Sequence, residues 1–476
     1  MADFIPDVLA SRYASADMQA IWSERGKIAR ERRLWIAIMR GQRELGIDIS
    51  TEAIESYERV AEHIDFDSIR DREATTRHDV KARIEEFCAL AGFEEIHKGL
   101  TSRDLTDNVE QLQIYESLQL VRLKYVSLLD RLAHRATTWK DLVIVGRTHH
   151  AAAQPTTMGK RLAMFGEEML LAFAGLEQLI QSYPLRGLQG AVGTAVDQLT
   201  LFDGDAEKVN SLQRKILAHL GFSEQLNAVG QIYPRSLDFQ VLSSLYQLGG
   251  GVANAARTFR LMAGAEALTE GFARGQVGSS AMPHKMNTRS CERINALQVI
   301  VGGYVHMVSS LVGDQWFEGD VSCSAVRRVA LPGSFFAFDG LVEAMYHVLD
   351  DMGVYDAILG AELSRFLPFL ATTTLLMESV QRGAGREQAH EALKEHAVAA
   401  AIEMREKGTT GAVDLAQRLA EDDRLPFSRS ELDEILSRSQ EFTGLAGHQV
   451  DTFGGRVREI SARFPQAQSV EKSPLL

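Results

Sequence analysis

Cysteine is nearly missing from the 476 residues: Cys88, Cys291 and Cys323 stand far apart, with no CxxC pair. That excludes a disulfide framework and a thiolate zinc site, and it suits a reducing, cytoplasmic setting. No uncharged apolar run approaches the roughly 18 residues of a membrane-spanning helix. The first residues, Met1 to Pro6, lack the basic-then-apolar order of a secretory leader. Positive charge is in deficit, since 51 Lys and Arg against 64 Asp and Glu leave −13. Such a surface repels nucleic acid and anionic lipid at long range, so neither is an expected partner. Small anions remain candidates wherever arginines cluster locally. Proline is sparse, ten in all, with none between Asp7 and Gln154. Neither a P-loop nor a GxGxxG turn precedes a strand, and no metal-ligand spacing occurs, so neither cofactor nor metal is expected.

What is present is helical periodicity. Apolar residues make up 45% of the chain and charged residues 24%, enough to bury a large core. Ile114, Leu118, Val121, Tyr125, Leu128 and Leu132 recur in steps of three and four. So do Met158, Leu162, Phe165, Met169, Ala172, Leu176 and Leu179; Val241 to Met262; Ile294 to Leu311; and Leu341 to Met352. Each run is one stripe along a helix. Five such stripes predict an all-α fold with a central bundle. The expected division is an N-terminal helical domain over 1–105, a long-helix domain over 106–360 and a C-terminal helical domain over 361–476. Thr106, Asp107 and Asn108, with Glu110 three residues after Asp107, offer caps for the first long helix. Past residue 360 the glycines at 383, 385, 408 and 411, with Pro368 and Pro426, are expected to break shorter helices. The polar tail from Pro465 is expected to be loose. Leu142 to Val145 is the best strand-like run, and it is short.

The most unusual stretch is Gly275-Gln-Val-Gly-Ser-Ser-Ala-Met-Pro-His-Lys-Met-Asn287, between two helical runs. It holds small residues, two hydroxyls, a cation and an amide, and no acid, as an anion-binding loop would. Residues 278–287 resemble the signature GSSxMPxKxNP of the fumarase/aspartase superfamily, whose members eliminate fumarate by breaking a C–N or C–O bond. Thr288 stands where that pattern usually has proline. Ser11-Arg12-Tyr13-Ala14-Ser15, Arg77-His78-Asp79-Val80, Thr101-Ser102 with Asp107-Asn108, Gly146-Arg147-Thr148-His149, Thr156 to Arg161 and Gln315 to Glu318 narrow the resemblance to the adenylosuccinate lyase family. Ala151 to Ala153 depart from the Gln-Pro that many relatives carry after the histidine.

The resemblance implies release of fumarate from adenylosuccinate, leaving AMP, and from the related purine intermediate SAICAR, leaving AICAR. The proton to be removed lies beside a carboxylate, so its loss builds a dianionic aci-carboxylate that needs cations and donors around it. Lys285 and Asn287 suit that task. Ser279 is the base by resemblance, although a serine hydroxyl needs strong local stabilisation of its alkoxide. The alternative gives Ser279 carboxylate binding and a histidine the base role. His149 is the implied proton donor to the departing nitrogen, with Glu292 as its partner; His150 and His284 compete on residue type alone. His78, Asp79, Thr101, Ser102 and Thr148 are implied substrate contacts. Arg12 and Tyr13, with Ser324 and Arg328, form the implied phosphate clamp, joined by Gln231 and Arg293. Gly319 falls where some relatives have arginine. The family also implies a homotetramer around a core of twenty helices, five per subunit, each site being shared by three subunits. Argininosuccinate lyase, fumarase and aspartase are the rivals inside the superfamily, and a catalytically dead helical scaffold is the rival outside it.

Overall fold

The computed structural model describes residues 7–271, 282, 284–408 and 414–474. The N-terminal part is a run of short helices: α1 (Val8–Arg12), α2 (Ala16–Trp22), α3 (Glu24–Glu44), α4 (Thr51–Val60), α5 (Phe66–Thr76) and α6 (Asp79–Ala91). Most begin at an oxygen-bearing cap. Asp7, Ser15, Ser23, Ser50 and Asp65 each accept a backbone N–H from the first turn that follows. Five long helices come next: α7 (Ser102–Thr138), α8 (Met158–Ser182), then, after α9 (Val196–Leu201) and α10 (Ala206–Leu220), α11 (Ser236–Gly264), α12 (Arg289–Ser309) and α13 (Ser324–Asp351). They carry the five apolar stripes of the sequence, and nearly every stripe residue is buried in one continuous core. The all-α expectation holds.

The first long helix starts earlier than its expected cap. Thr101 is the N-cap, and the Asp104 carboxylate accepts the Thr101 N–H at 2.8 Å. Asp107 and Asn108 are fully buried inside the helix. They face neighbouring segments, so their polar atoms satisfy tertiary partners and not the helix end.

Two small two-stranded ribbons interrupt the helices. β1 (Val143–Thr148) and β2 (Ala151–Thr157) form a hairpin that links α7 to α8. β3 (Leu268–Thr269) pairs with β4 (Gly353–Val354). The strand-like run at Val143 to Val145 is thus half of a hairpin. Its partner strand, Ala-rich and containing Pro155, carries no strand signal of its own.

Beyond the bundle lie α14 (Asp356–Leu370), α15 (Thr372–Gln381), α16 (Arg386–Glu406), α17 (Leu415–Ala420), α18 (Arg429–Ser437) and α19 (Ala446–Arg463). Gly383, Gly385, Gly408 and Pro426 separate helices as expected, while Gly411 lies outside the described residues. Pro368 lies inside α14, two residues before its end at Leu370, and only Ala371 separates α14 from α15, so the expected break falls just past the proline.

Three main hydrophobic clusters hold the chain. Trp35, Tyr57 and Phe87 centre the first, which also takes Leu105 and Val109 from α7 and Leu212 and Ile216 from α10. The bundle is the second. Buried side chains of α15, α16, α17 and α18, among them Leu375, Leu393, Leu419 and Leu432, form the third. The chain then returns, and α19 lays Val450, Phe453 and Val457 on the bundle. The tail is not loose. Ala467 is buried, Arg131 donates to the Val470 carbonyl at 3.2 Å, and Ser473 N–H donates to Glu343 at 2.7 Å.

Phe453 locks α19 against α8, because its ring fills the space where Gly166 has no side chain. Phe453→Ala should therefore lower stability by about 3–5 kcal/mol, read as a lower midpoint of chemical or thermal unfolding. A midpoint equal to that of the parent would show that α19 does not support the bundle.

Candidate functional site

Three helices begin at one cavity of about 310 Å³. α6 brings His78, Asp79 and Val80, α7 brings Ser102, Arg103, Thr106 and Glu110, and α13 brings Ser324, Arg327 and Arg328. Gln231 and Lys27 complete the wall. The first turn of a helix leaves N–H groups without intrahelical acceptors and carries the positive end of the helix dipole. Three such ends around one hollow favour an anion there even in a protein of net charge −13, against the Asp79 and Glu110 carboxylates that also line it.

Buried ion pairs fix where these helices start. Asp104 accepts from Arg186 at 2.6 Å, from Gly190 N–H at 3.0 Å and from Thr101 N–H at 2.8 Å. Asp107 accepts from Arg103 and Arg235, both at 3.2 Å. Arg327 spans Glu110 at 2.6 Å and Asp238 at 2.7 Å, and it also donates to the Tyr233 hydroxyl. Burial by itself would raise the Glu110 carboxyl, but Arg327 and Lys27 overcome that and hold it down at about 2. Asp79 is likewise held below the usual carboxylate range, burial being outweighed by Arg83.

These pairs leave two cations for a ligand. Of the two, Lys27 also pairs loosely with Glu110 at 3.7 Å, whereas Arg328 is exposed and makes no ion pair among the described residues. His78 caps α6 by accepting the Lys81 N–H on Nδ1 at 3.2 Å, so its neutral ring carries the proton on Nε2. The Gln231 N–H donates to the Glu318 carbonyl at 2.6 Å. Gly319 has a steric reason to be glycine, since a Cβ there would lie 2.7 Å from that of Gln231.

The other expected residues lie elsewhere on the chain. Lys285, Asn287, Glu292 and His284 line a separate cavity of about 660 Å³, with Glu270 and Arg260. Glu270 accepts the N–H groups of Ser290 at 2.9 Å and Cys291 at 3.0 Å, which caps α12 from a distance. Ser279 lies outside the described residues. Glu292 stands 3.9 Å from Arg260, and within one chain no bond joins it to His149. Thr148 and His149 sit exposed at the tip of the β1–β2 hairpin. Both central residues of its two-residue turn, His149 and His150, are left-handed, with φ of 50° and 64°. Arg12 is exposed and unpaired among the described residues, while the Tyr13 ring lies 5.5 Å from the Arg293 guanidinium.

One chain therefore brings together His78, Asp79, Ser102, Gln231, Ser324 and Arg328, with Thr101 capping the helix beside them. It keeps the 285–292 segment apart. Tyr13 contacts both Arg293 and Gly340, and Gly340 is 12 residues along α13 from Arg328, about 18 Å. Sequence reasoning missed Lys27, Arg103, Glu110 and Arg327. Their only signal was the acidic spacing 104, 107, 110, which puts three carboxylates on one face of α7.

The family described as "Lyase" matches residues 14–303, and "Adenylosuccinate lyase C-terminus" matches residues 368–453. The adenylosuccinate lyase of Saccharomyces cerevisiae is 34% identical over 94% of this chain and 93% of its own length. That of Schistosoma mansoni is 34% identical over the same shares. Among solved structures, the 3-carboxy-cis,cis-muconate lactonizing enzyme of Pseudomonas putida superposes with a TM-score of 0.83 at 21% identity, covering 96% of this chain and 100% of that one. A fumarate lyase from Mesorhizobium sp. BNC1 gives 0.78 at 21%, covering 95% and 100%. These two share the fold, and the sequence matches go further: the chain belongs to the adenylosuccinate lyase family of the fumarase/aspartase superfamily.

Proposed function

We propose that this protein is a carbon–nitrogen lyase that cleaves adenylosuccinate to AMP and fumarate, and SAICAR to AICAR and fumarate, without a cofactor. The observation that carries the reading is the anion cavity at three helix starts, where His78, Ser102, Gln231, Ser324 and Arg328 meet. A nucleotide phosphate or a succinyl carboxylate finds there amide dipoles, hydroxyls and an unpaired guanidinium. No helix among the described residues is long and apolar enough to cross a membrane, and the three cysteines are free. Both suit a cytoplasmic enzyme of nucleotide metabolism.

The chemistry follows from charge. Ser279 takes the proton from the succinyl carbon next to a carboxylate. Negative charge spreads onto that carboxylate, and Lys285 and Asn287 hold it there. The C–N bond then breaks, and His149 gives its proton to the departing nitrogen. Glu292 on the other ring nitrogen would fix the tautomer of His149. Arg12, Tyr13 and Arg328 hold the phosphate. Asp79, Thr101, Thr148 and Arg293 complete the substrate contacts.

Such a site needs more than one copy of the chain, because the 285–292 segment and the anion cavity lie apart on one protomer. We infer a homotetramer with three copies contributing to each site. The outward faces of adjacent bundle helices are apolar enough for this. Leu171 on α8 is 77% exposed and Val299 on α12 is 74% exposed, with Met164, Tyr246 and Leu261 also exposed on α8 and α11.

Incubation with adenylosuccinate should produce AMP and fumarate, followed by the ultraviolet change. Ser279→Ala and His149→Ala should each lower turnover by about 10²–10⁴-fold while circular dichroism stays helical. A Ser279→Ala enzyme that ran at the parent rate would end the serine-base reading.

Sharing of sites has its own test. Ser279→Ala and Arg328→Ala proteins, each impaired alone, should regain activity when unfolded together and refolded as a mixture, because some sites then receive both intact residues. If the mixture were no more active than the average of its parts, each site would belong to a single chain.

A further inference from the structure

Outside the two cavities described above, a lysine is buried in the bundle with two carboxylates. Lys124 of α7 is 4% exposed, Asp339 and Glu343 of α13 are 1% and 2%, and Ser15 is 6%. The Lys124 ammonium donates to Asp339 at 2.5 Å, to Glu343 at 2.6 Å and to the Ser15 hydroxyl at 2.9 Å, which uses all three of its hydrogens. The second Asp339 oxygen accepts the Ser15 backbone N–H at 2.6 Å. The second Glu343 oxygen accepts the Ser473 N–H at 2.7 Å, and the His347 ring meets the Ser473 carbonyl at 2.7 Å.

The cluster fixes one short segment in particular. Ser15 caps α2 and stands two residues after Tyr13. The Tyr13 and Ala14 N–H groups donate to the Leu9 carbonyl at 3.1 and 3.0 Å, Tyr13 and Ala14 pack on the edge of the bundle core, and the Tyr13 ring meets Arg293 of α12. Against α13 the segment is held at two consecutive residues. Asp339 holds Ser15, and Gly340 lies so close under Tyr13 that a Cβ there would be 2.6 Å from the Tyr13 Cβ. Apolar side chains could fill this volume at least as stably as buried ions. What ions add is direction, because each oxygen and each ammonium hydrogen has one assigned partner.

We propose that Lys124, Asp339 and Glu343 form a positioning centre that sets the place of Arg12 and Tyr13, and that the C-terminal strap at Ser473 completes it through Glu343. This rests on the reading of Arg12 and Tyr13 as substrate-binding residues. The centre touches no substrate; it acts through the segment it anchors, so its loss is felt in substrate affinity and not in the chemical step.

The test is steady-state kinetics with adenylosuccinate on four full-length variants and one truncation. Arg12→Ala should raise KM about tenfold or more. Asp339→Asn should raise KM by a similar factor with kcat within about threefold of the parent. The double variant Arg12→Ala/Asp339→Asn should raise KM by clearly less than the product of the two single effects, since without its arginine the segment has only Tyr13 left to position. Ser15→Ala, which removes only the hydroxyl, and a chain ending at Val470, which removes the Ser473 donor, should each raise KM a few-fold at constant kcat. They decide the matter should Asp339→Asn fail to fold. If Arg12→Ala raises KM while Asp339→Asn, Ser15→Ala and the truncation leave it unchanged, or if the double variant is multiplicative, the positioning centre is refuted and the clamp stands. If Arg12→Ala leaves KM unchanged, the clamp reading fails and this proposal falls with it.

Discussion

A stripe of three carboxylates at the start of α7 is the constraint from which the site is built. Asp104, Asp107 and Glu110 are spaced by three, so they share a face, and each takes arginine from a different part of the chain: Arg186, Arg235 and Arg327. Whether such a buried pair stabilises the fold relative to apolar packing is not decided by its presence. Breaking one by removing a partner, however, typically costs about 3–5 kcal/mol. The clear product is register. The 186–190 turn, the 230–235 segment and the first turns of α13 are all indexed to the same nine or so ångströms of one helix. The starts of α7 and α13 therefore face one hollow, and α6 closes it.

From that register follows a division of labour. The carboxylates that fix the helices are consumed by their arginines, so they do not cancel the field inside the cavity. Amide dipoles and Arg328 remain to meet an anion, with Lys27 shared loosely with Glu110. The same bundle geometry keeps the start of α12 away. Glu292 and Arg293 begin α12 opposite the middle of α13, whereas the cavity lies at the first turn of α13. A rigid bundle of long helices cannot fold back to close such a gap. In the proposed tetramer a second copy would close it, with the exposed apolar faces of α8, α11 and α12 as the docking surface.

What was legible in the sequence was local. The five stripes gave the five long helices because a step of three or four is a property of one segment read alone. The ten-residue loop motif pointed to the chemistry through its resemblance to a family signature, while its residue types alone suggested only an anion-binding loop. Tertiary placement was not legible. Asp107 looks like a cap by type and position, yet Thr101 and Asp104 form the helix start a turn earlier, because Asp107 has two arginines to satisfy. Nothing in the spacing of His78, Ser102 and Ser324 says that three helix starts converge. The tail seemed loose from its polarity, but Ala467 and the Ser473 amide find buried partners that no local pattern announces. The hairpin was half visible, since β2 is built of alanines that pair only because β1 is there.

That hairpin shows most directly where function overrides local preference. A two-residue turn with both central residues at positive φ is normally met by Asn-Gly, which adopt it readily. Here His149 and His150 occupy it, at about 1–3 kcal/mol of backbone strain each. The strain is sustained from outside the turn. Arg147 pairs with Glu362 of α14 and donates to the His150 carbonyl at 3.0 Å, and Gln154 reaches Thr373 at 3.1 Å. A turn serving only as a connection would relax to glycine without loss of any contact, because neither ring is packed against the chain. Two exposed imidazoles held in an unfavourable conformation by a braced scaffold fit the proposed role of His149, in which one ring projects to a neighbouring subunit's site to protonate the departing nitrogen.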